Sequence, residues 1–281
     1  MGFFRPNTLS EATVWLAENR ASVVAGCTDV FPATEGPSLR GSYLDVTAIE
    51  ELRGIGQSAE HWRIGAAATW TDIVRADLPS AFDGLKSAAR QVGSVQIQNA
   101  GTIAGNLVNA SPAADGAPCL LTLDASVELA SKAGIRTLPI GDFLLGPGET
   151  ALEEDEIVSA VRVPKASGRG RSTFLKLGAR KYLVISISMV AARIVEDAGV
   201  ITDAAIAVGA CSAVATRLEV VENSLIGKPA GDDPAAYVDD DMVTRYLSPI
   251  DDARSDAGYR NVASVELVRR AIRALTEAGR S

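Results

Sequence analysis

In the N-terminal part of the chain, apolar positions come in short runs whose spacing switches between that of a helix and that of a strand. Thr8-Leu9-Ser10-Glu11 has the S/T-x-x-E pattern in which side chains and backbone cap each other, and Leu9, Ala12, Trp15 and Leu16 follow at helical intervals. A helix is expected over residues 9–19. Residues 22–25 then read as a short buried strand that stops at Gly26, and residues 43–47 as another. A strand over 62–68 precedes a short helix over 70–76, with Thr71 or Asp72 in its first turn. Residues 82–92 put Leu85, Ala88, Ala89 and Val92 on one helical side. The stretch 100–115, AGTIAGNLVNASPAAD, is too rich in Gly, Asn, Ser, Thr and Pro to form one regular element.

Farther along, residues 126–130 and 136–140 flank Lys132-Ala133-Gly134, a hairpin signal, and residues 157–163 form a strand ended by Pro164. The small, basic, glycine-rich stretch 165–171 is the best linker candidate. Strands are expected over 173–177, 185–195 and 200–208, the last two joined across Asp197-Ala198-Gly199. Helices are expected over 217–225 and 264–278, with the acidic Asp239-Asp240-Asp241 between them. Helices and strands are mixed without a long βαβ series, so the fold class is α+β. A length of 281 residues fits two domains. We place the first at 1–170, with subdomains of about 1–53 and 54–165, and a smaller C-terminal α/β domain at 171–281.

Charge narrows the function classes. Lys and Arg number 27 against 35 Asp and Glu, a net charge of −8. Nucleic acid and anionic membrane surfaces both require clustered cations, and this balance argues against them. The 47% hydrophobic and 22% charged residues are those of a folded, soluble chain. No apolar run reaches membrane-spanning length, and the N-terminus lacks a leader pattern, so a cytoplasmic location is expected. Cys27, Cys119 and Cys211 are far apart and lack CxxC spacing, so neither a disulfide framework nor a zinc or iron–sulfur site is encoded. His61 is the only histidine and has no nucleophile pattern around it, which leaves no Ser-His-Asp triad. The acidic run at 239–241 lacks the calcium-loop pattern and reads as a solvated face.

Two loops remain as candidates for chemistry. VVAGCTDV, residues 23–30, takes a strand into a glycine turn that can aim several backbone N–H groups at phosphate oxygens. GTIAGN, residues 101–106, is a second glycine-bracketed loop that would let a ligand approach the main chain. It is neither a P-loop nor a GxGxxG fingerprint. Neither loop contains Lys or Arg, so a diphosphate held there would be met by N–H dipoles and hydroxyls. Asp115 could accept from ribose hydroxyls or serve as a turn or cap residue.

Taken together, AGCTD at 25–29 and GTIAGNLVNASPAAD at 101–115 resemble the FAD-binding medium subunit of the xanthine dehydrogenase, aldehyde oxidase and carbon monoxide dehydrogenase family of molybdenum hydroxylases. TALEEDEIVSAVRV at 150–163, FLKLGAR at 174–180 and the segment 251–270 extend the resemblance over essentially the whole chain. It implies a first FAD loop at Val23, Val24, Ala25, Gly26, Cys27, Thr28, Asp29 and Val30, and a second at Thr102, Ile103, Ala104, Gly105 and Asn106. It also implies cofactor contacts at Asp115 and Leu152, a lysine near the isoalloxazine ring at Lys176, and an aliphatic cover of the flavin at Ile185. The chain departs from the usual pattern at Cys27, where the family commonly has Gly, at Gln98, commonly Arg, and at Ala104, commonly Gly. If Cys27 needs a positive φ, it is strained.

The resemblance implies FAD as cofactor and electron transfer as the activity, with no catalytic acid, base or nucleophile on this chain. The molybdenum cofactor would sit on a large partner subunit and iron–sulfur clusters on a small one, in a dimer of heterotrimers. Two other readings stay open here: a stand-alone FAD oxidoreductase and a flavin-free assembly subunit.

Overall fold

The computed structural model describes residues 2–36, 40–181 and 183–277. The capping box at Thr8 and Glu11 forms as expected and starts the helix Leu9–Glu18. That helix covers a small parallel sheet in which Tyr43–Asp45 lies between Phe3–Phe4 and Ser22–Val24. A five-stranded sheet follows, built from Ile55–Gln57, His61–Gly65, Ile157–Pro164, Ser126–Ser131 and Gly134–Pro139 in that spatial order. The last two are the expected hairpin, paired from Ser126 with Pro139 to Ser131 with Gly134. A third, antiparallel sheet runs Arg171–Leu177, Ser188–Asp197, Val200–Gly209, Thr216–Arg217. Its central turn places Ala198 at φ +48° and Gly199 at φ +79°, the left-handed pair that a two-residue hairpin loop needs.

The third sheet is buried on both faces. Phe174, Met189 and Ala191 belong to the apolar core shared with the first two sheets. Val190, Ala192 and Ile194 point the other way, into a second core closed by Val265, Val268, Ala271 and Ile272 of the helix Ala257–Glu277.

Several elements differ from expectation for identifiable reasons. The stretch 165–171 is an ordered connection: Lys165–Gly168 forms a 3-10 turn, Ser167 is buried and donates to Asp124 (2.8 Å), and the Lys165 ammonium lies over the Trp62 ring. The short helix Trp70–Arg75 has Thr71 and Asp72 in its first turn as expected; Thr69 caps it and exchanges hydrogen bonds with Asp72, while Thr71 meets Asn99 (2.6 Å). The strand expected from residue 185 begins at Ser188. Arg217 belongs to a strand, and the helix after it is Glu219–Leu225. The last helix starts seven residues early, at Ala257, because Arg260 is fully buried and breaks the apolar pattern. Ala278 lies outside the described residues. Asp239 caps the helix Asp240–Thr244, and Asp240 pairs with Arg269 (2.7 Å).

Candidate functional site

The stretch 100–115 sits in a run of three short helices, Val95–Ala100, Ile103–Val108 and Gly116–Thr122. Their ends, the turn after Ser22–Val24 and the start of the third sheet enclose a cavity of about 600 Å³. Every residue that the resemblance implies as an FAD contact lines it except Ile103, which is fully buried in the core beneath the loop. Ile103 therefore anchors the second loop and does not face the cavity.

The two glycine loops touch through their backbones. A Cβ on Gly26 would sit 1.9 Å from the Ala100 carbonyl oxygen, so only glycine allows the approach. Trp70, 1% exposed and unsuspected from sequence, packs between the second loop and the helix Gly116–Thr122; its ring would lie 2.7 Å from a Cβ on Gly116 and 3.4 Å from one on Gly101.

The loops are chemically unequal. No acceptor among the described residues takes the N–H groups of residues 26–30. In the second loop, Ile103 and Ala104 donate to the carbonyls of Ala68 and Ala66, Gly105 to the Thr102 hydroxyl and Asn106 to the Thr102 carbonyl. Its N–H groups from Ile103 to Asn106 are thus already committed, unlike those of the first loop. It offers side chains: the Thr102 hydroxyl and the Asn106 amide, whose Oδ1 is buried and has no partner among the described residues. A buried polar atom without a partner costs about 1–3 kcal/mol, which a ligand donor would recover.

Cys27 has φ +54°, the strained conformation anticipated for it. Burial, and then the Asp45 carboxylate, push its thiol above the ordinary range, so it adds no negative charge beside the free N–H groups. Left-handed backbone costs a side-chain-bearing residue about 1–2 kcal/mol, part of which glycine loses to its freer unfolded chain. Cys27→Gly should raise stability by about 0.5–1 kcal/mol in denaturant melts, whereas Cys27→Val should lower it.

Asp115 lines the cavity and is already paired within its wall. It is 5% exposed, with Oδ2 accepting from Lys176 Nζ at 2.6 Å and Oδ1 from Ser186 Oγ at 2.8 Å. Burial pushes its carboxyl above the ordinary value, against the pull of Lys176 and Ser186. In this structure it is the counter-ion of Lys176. Leu152 reaches the cavity from a loop fixed by Arg136, which donates to Glu156 (2.7 Å) and to the Ala151 carbonyl (2.8 Å). Ile185 projects at the cavity edge, 61% exposed. Gln98 turns toward the Arg90 carbonyl (3.0 Å) instead. His61 meets Ser58 and Arg162 (3.1 Å each) on its strand and is not among the residues lining the cavity.

The hydrogen bond to Arg136 holds the Glu156 carboxyl below its ordinary value. A carboxyl with a lowered folded-state value stabilises the fold above about pH 4.3 and loses that contribution as pH falls through the folded value. Acid unfolding followed by circular dichroism should show this loss in the natural chain, and Glu156→Gln should flatten it.

Residues 1–166 match the FAD-binding domain family of molybdopterin dehydrogenases, and residues 173–275 match the carbon monoxide dehydrogenase flavoprotein C-terminal domain family. The chain belongs to the FAD-binding subunit family of the molybdopterin dehydrogenases. Among its relatives in this flavoprotein family is the nicotinate dehydrogenase FAD-subunit of Eubacterium barkeri, 36% identical over 81% of this chain and 80% of that one. A putative xanthine dehydrogenase FAD-binding subunit of Escherichia coli is 32% identical over 81% and 80%. A carbon monoxide dehydrogenase structure from Hydrogenophaga pseudoflava superposes with a TM-score of 0.88 at 28% identity, covering 98% of this flavoprotein and 96% of the matched chain.

Proposed function

We infer that this chain is the FAD-bearing electron-transfer subunit of a molybdenum-containing hydroxylase, an oxidoreductase component that works with a large molybdenum-cofactor subunit and a small iron–sulfur subunit. A dimer of such heterotrimers in the cytoplasm, with the domain boundary at 165–171, is the arrangement we favour. The two family matches on either side of that stretch support the boundary, and the three free thiols suit a reducing compartment.

The observation that carries the reading is the cavity wall. Free N–H groups at residues 26–30 suit diphosphate oxygens, and the Asn106 Oδ1 without a partner suits a ligand N–H or O–H. The carboxylate and ammonium that pair in the wall, Asp115 and Lys176, are committed to each other, which suits a site whose redox chemistry comes from its cofactor. FAD bound there would supply passage of electrons from iron–sulfur clusters to an external acceptor. The chain's own residues would do the rest: the first loop grips phosphate, Leu152 and Ile185 exclude water, and Lys176 places a positive charge at the ring end.

The test is reconstitution of the purified chain with FAD, read as flavin absorbance after gel filtration. About one flavin per chain is expected. A colourless chain that is folded by circular dichroism would overturn the reading.

A further inference from the structure

We propose that Ser186 is a positioning residue that, through Asp115, fixes the Lys176 ammonium in the cavity wall. The proposal rests on the flavin reading for its purpose, and on the following geometry for its substance.

Each Asp115 oxygen has its own donor, Lys176 Nζ on Oδ2 at 2.6 Å and Ser186 Oγ on Oδ1 at 2.8 Å. Ser186 is fully buried and Asp115 nearly so. Without the hydroxyl, Oδ1 would face a site closed to water, and the carboxylate would lose the second point that sets its plane. A two-point hold on the carboxylate fixes the direction of the Lys176 bond, which one contact leaves free to swing.

Ser186 is itself held from the other side. Its carbonyl accepts from Arg254 Nη1 at 3.3 Å, and the next carbonyl, of Ile187, accepts from Arg260 Nη1 at 2.6 Å. One carboxylate, Asp252, orients both guanidiniums, at 2.5 and 2.7 Å. The Ile187 N–H returns to the Leu177 carbonyl (2.8 Å), one residue beyond Lys176. The segment that carries Val184 and Ile185 to the cavity is thus pinned between an arginine pair and the Lys176–Asp115 pair, and Ser186 makes the link to Asp115.

Two readouts on the full chain test this. In the FAD-free chain, reductive methylation of Lys176 followed by mass spectrometry should run several-fold faster in Ser186→Ala, at a temperature where circular dichroism shows both proteins folded. In the loaded chain, fluorescence titration should give Ser186→Ala about tenfold weaker FAD binding, near the lower end of what one hydrogen bond to a charged group contributes. In a Lys176→Met background the same substitution should change FAD affinity by less than about twofold, because the group it positions is gone. Equal losses in both backgrounds, or an unchanged methylation rate, would overturn the proposal and leave Ser186 a packing residue. An unsubstituted chain that binds no FAD would overturn the flavin reading instead, and the methylation rate would then decide the positioning role alone.

Discussion

Gly26→Ala should abolish retention of FAD, weakening binding by at least about a hundredfold and lowering stability by about 2–3 kcal/mol. The added Cβ would lie 1.9 Å from the Ala100 carbonyl oxygen, 2.5 Å from its carbon and 3.0 Å from the Gly101 nitrogen. All three are backbone atoms, so neither loop can make room by turning a side chain. The loops would have to separate, and the free N–H groups of residues 26–30 would move away from the Thr102 and Asn106 side chains across the cavity. Gly105→Ala is the control. Its Cβ would meet only the Thr102 hydroxyl, at 2.9 Å, a side-chain atom on the loop's own cap, so its effect should be several-fold smaller in both FAD titration and denaturant melts.

Asp115→Asn should produce the largest loss of stability, about 3–5 kcal/mol, because it leaves the buried Lys176 ammonium without a counter-charge. The Lys176 side chain is 8% exposed and that of Asp115 5%, so water cannot replace the lost partner. Thermal melts should show a drop of several degrees or more. Lys176→Met should be milder, since a protonated Asp115 can still hydrogen-bond Ser186 and burial already pushes that carboxyl toward its neutral form. Reversal of this order would mean that the pair is not a buried ion pair whose anion can neutralise itself.

What could be read from the sequence was local. The capping box at Thr8 and Glu11, the hairpin around Lys132-Ala133-Gly134 and the turn at Asp197-Ala198-Gly199 each carry their signal within a few residues, and each formed. The short helices around 95–122 were hidden because six or seven residues give too few periodic positions to outweigh their Gly, Asn and Pro. In the last helix the fully buried Arg260 stands beside the exposed Tyr259 and Val262, an inversion explained only by Asp252 and two carbonyls elsewhere in the chain.

The same division holds at the site. The glycine loops are contiguous motifs, and the family resemblance supplied Leu152, Lys176 and Ile185, all of which line the cavity. Trp70, Glu156 and Ser186 act through partners 20 to 71 residues away, which no local pattern records. The commitment of the second loop's N–H groups likewise depends on Ala66 and Ala68, carbonyls outside either motif.

Amide chemical shifts before and after FAD addition test the central claim, that the first loop's main chain grips the diphosphate while the second contributes side chains. In an isotope-labelled chain, the backbone N–H resonances of residues 26–30 should shift strongly, as should the Asn106 side-chain amide, while those of Ile103 and Ala104 should stay nearly where they were. Strong shifts at Ile103 and Ala104 with residues 26–30 unmoved would contradict it.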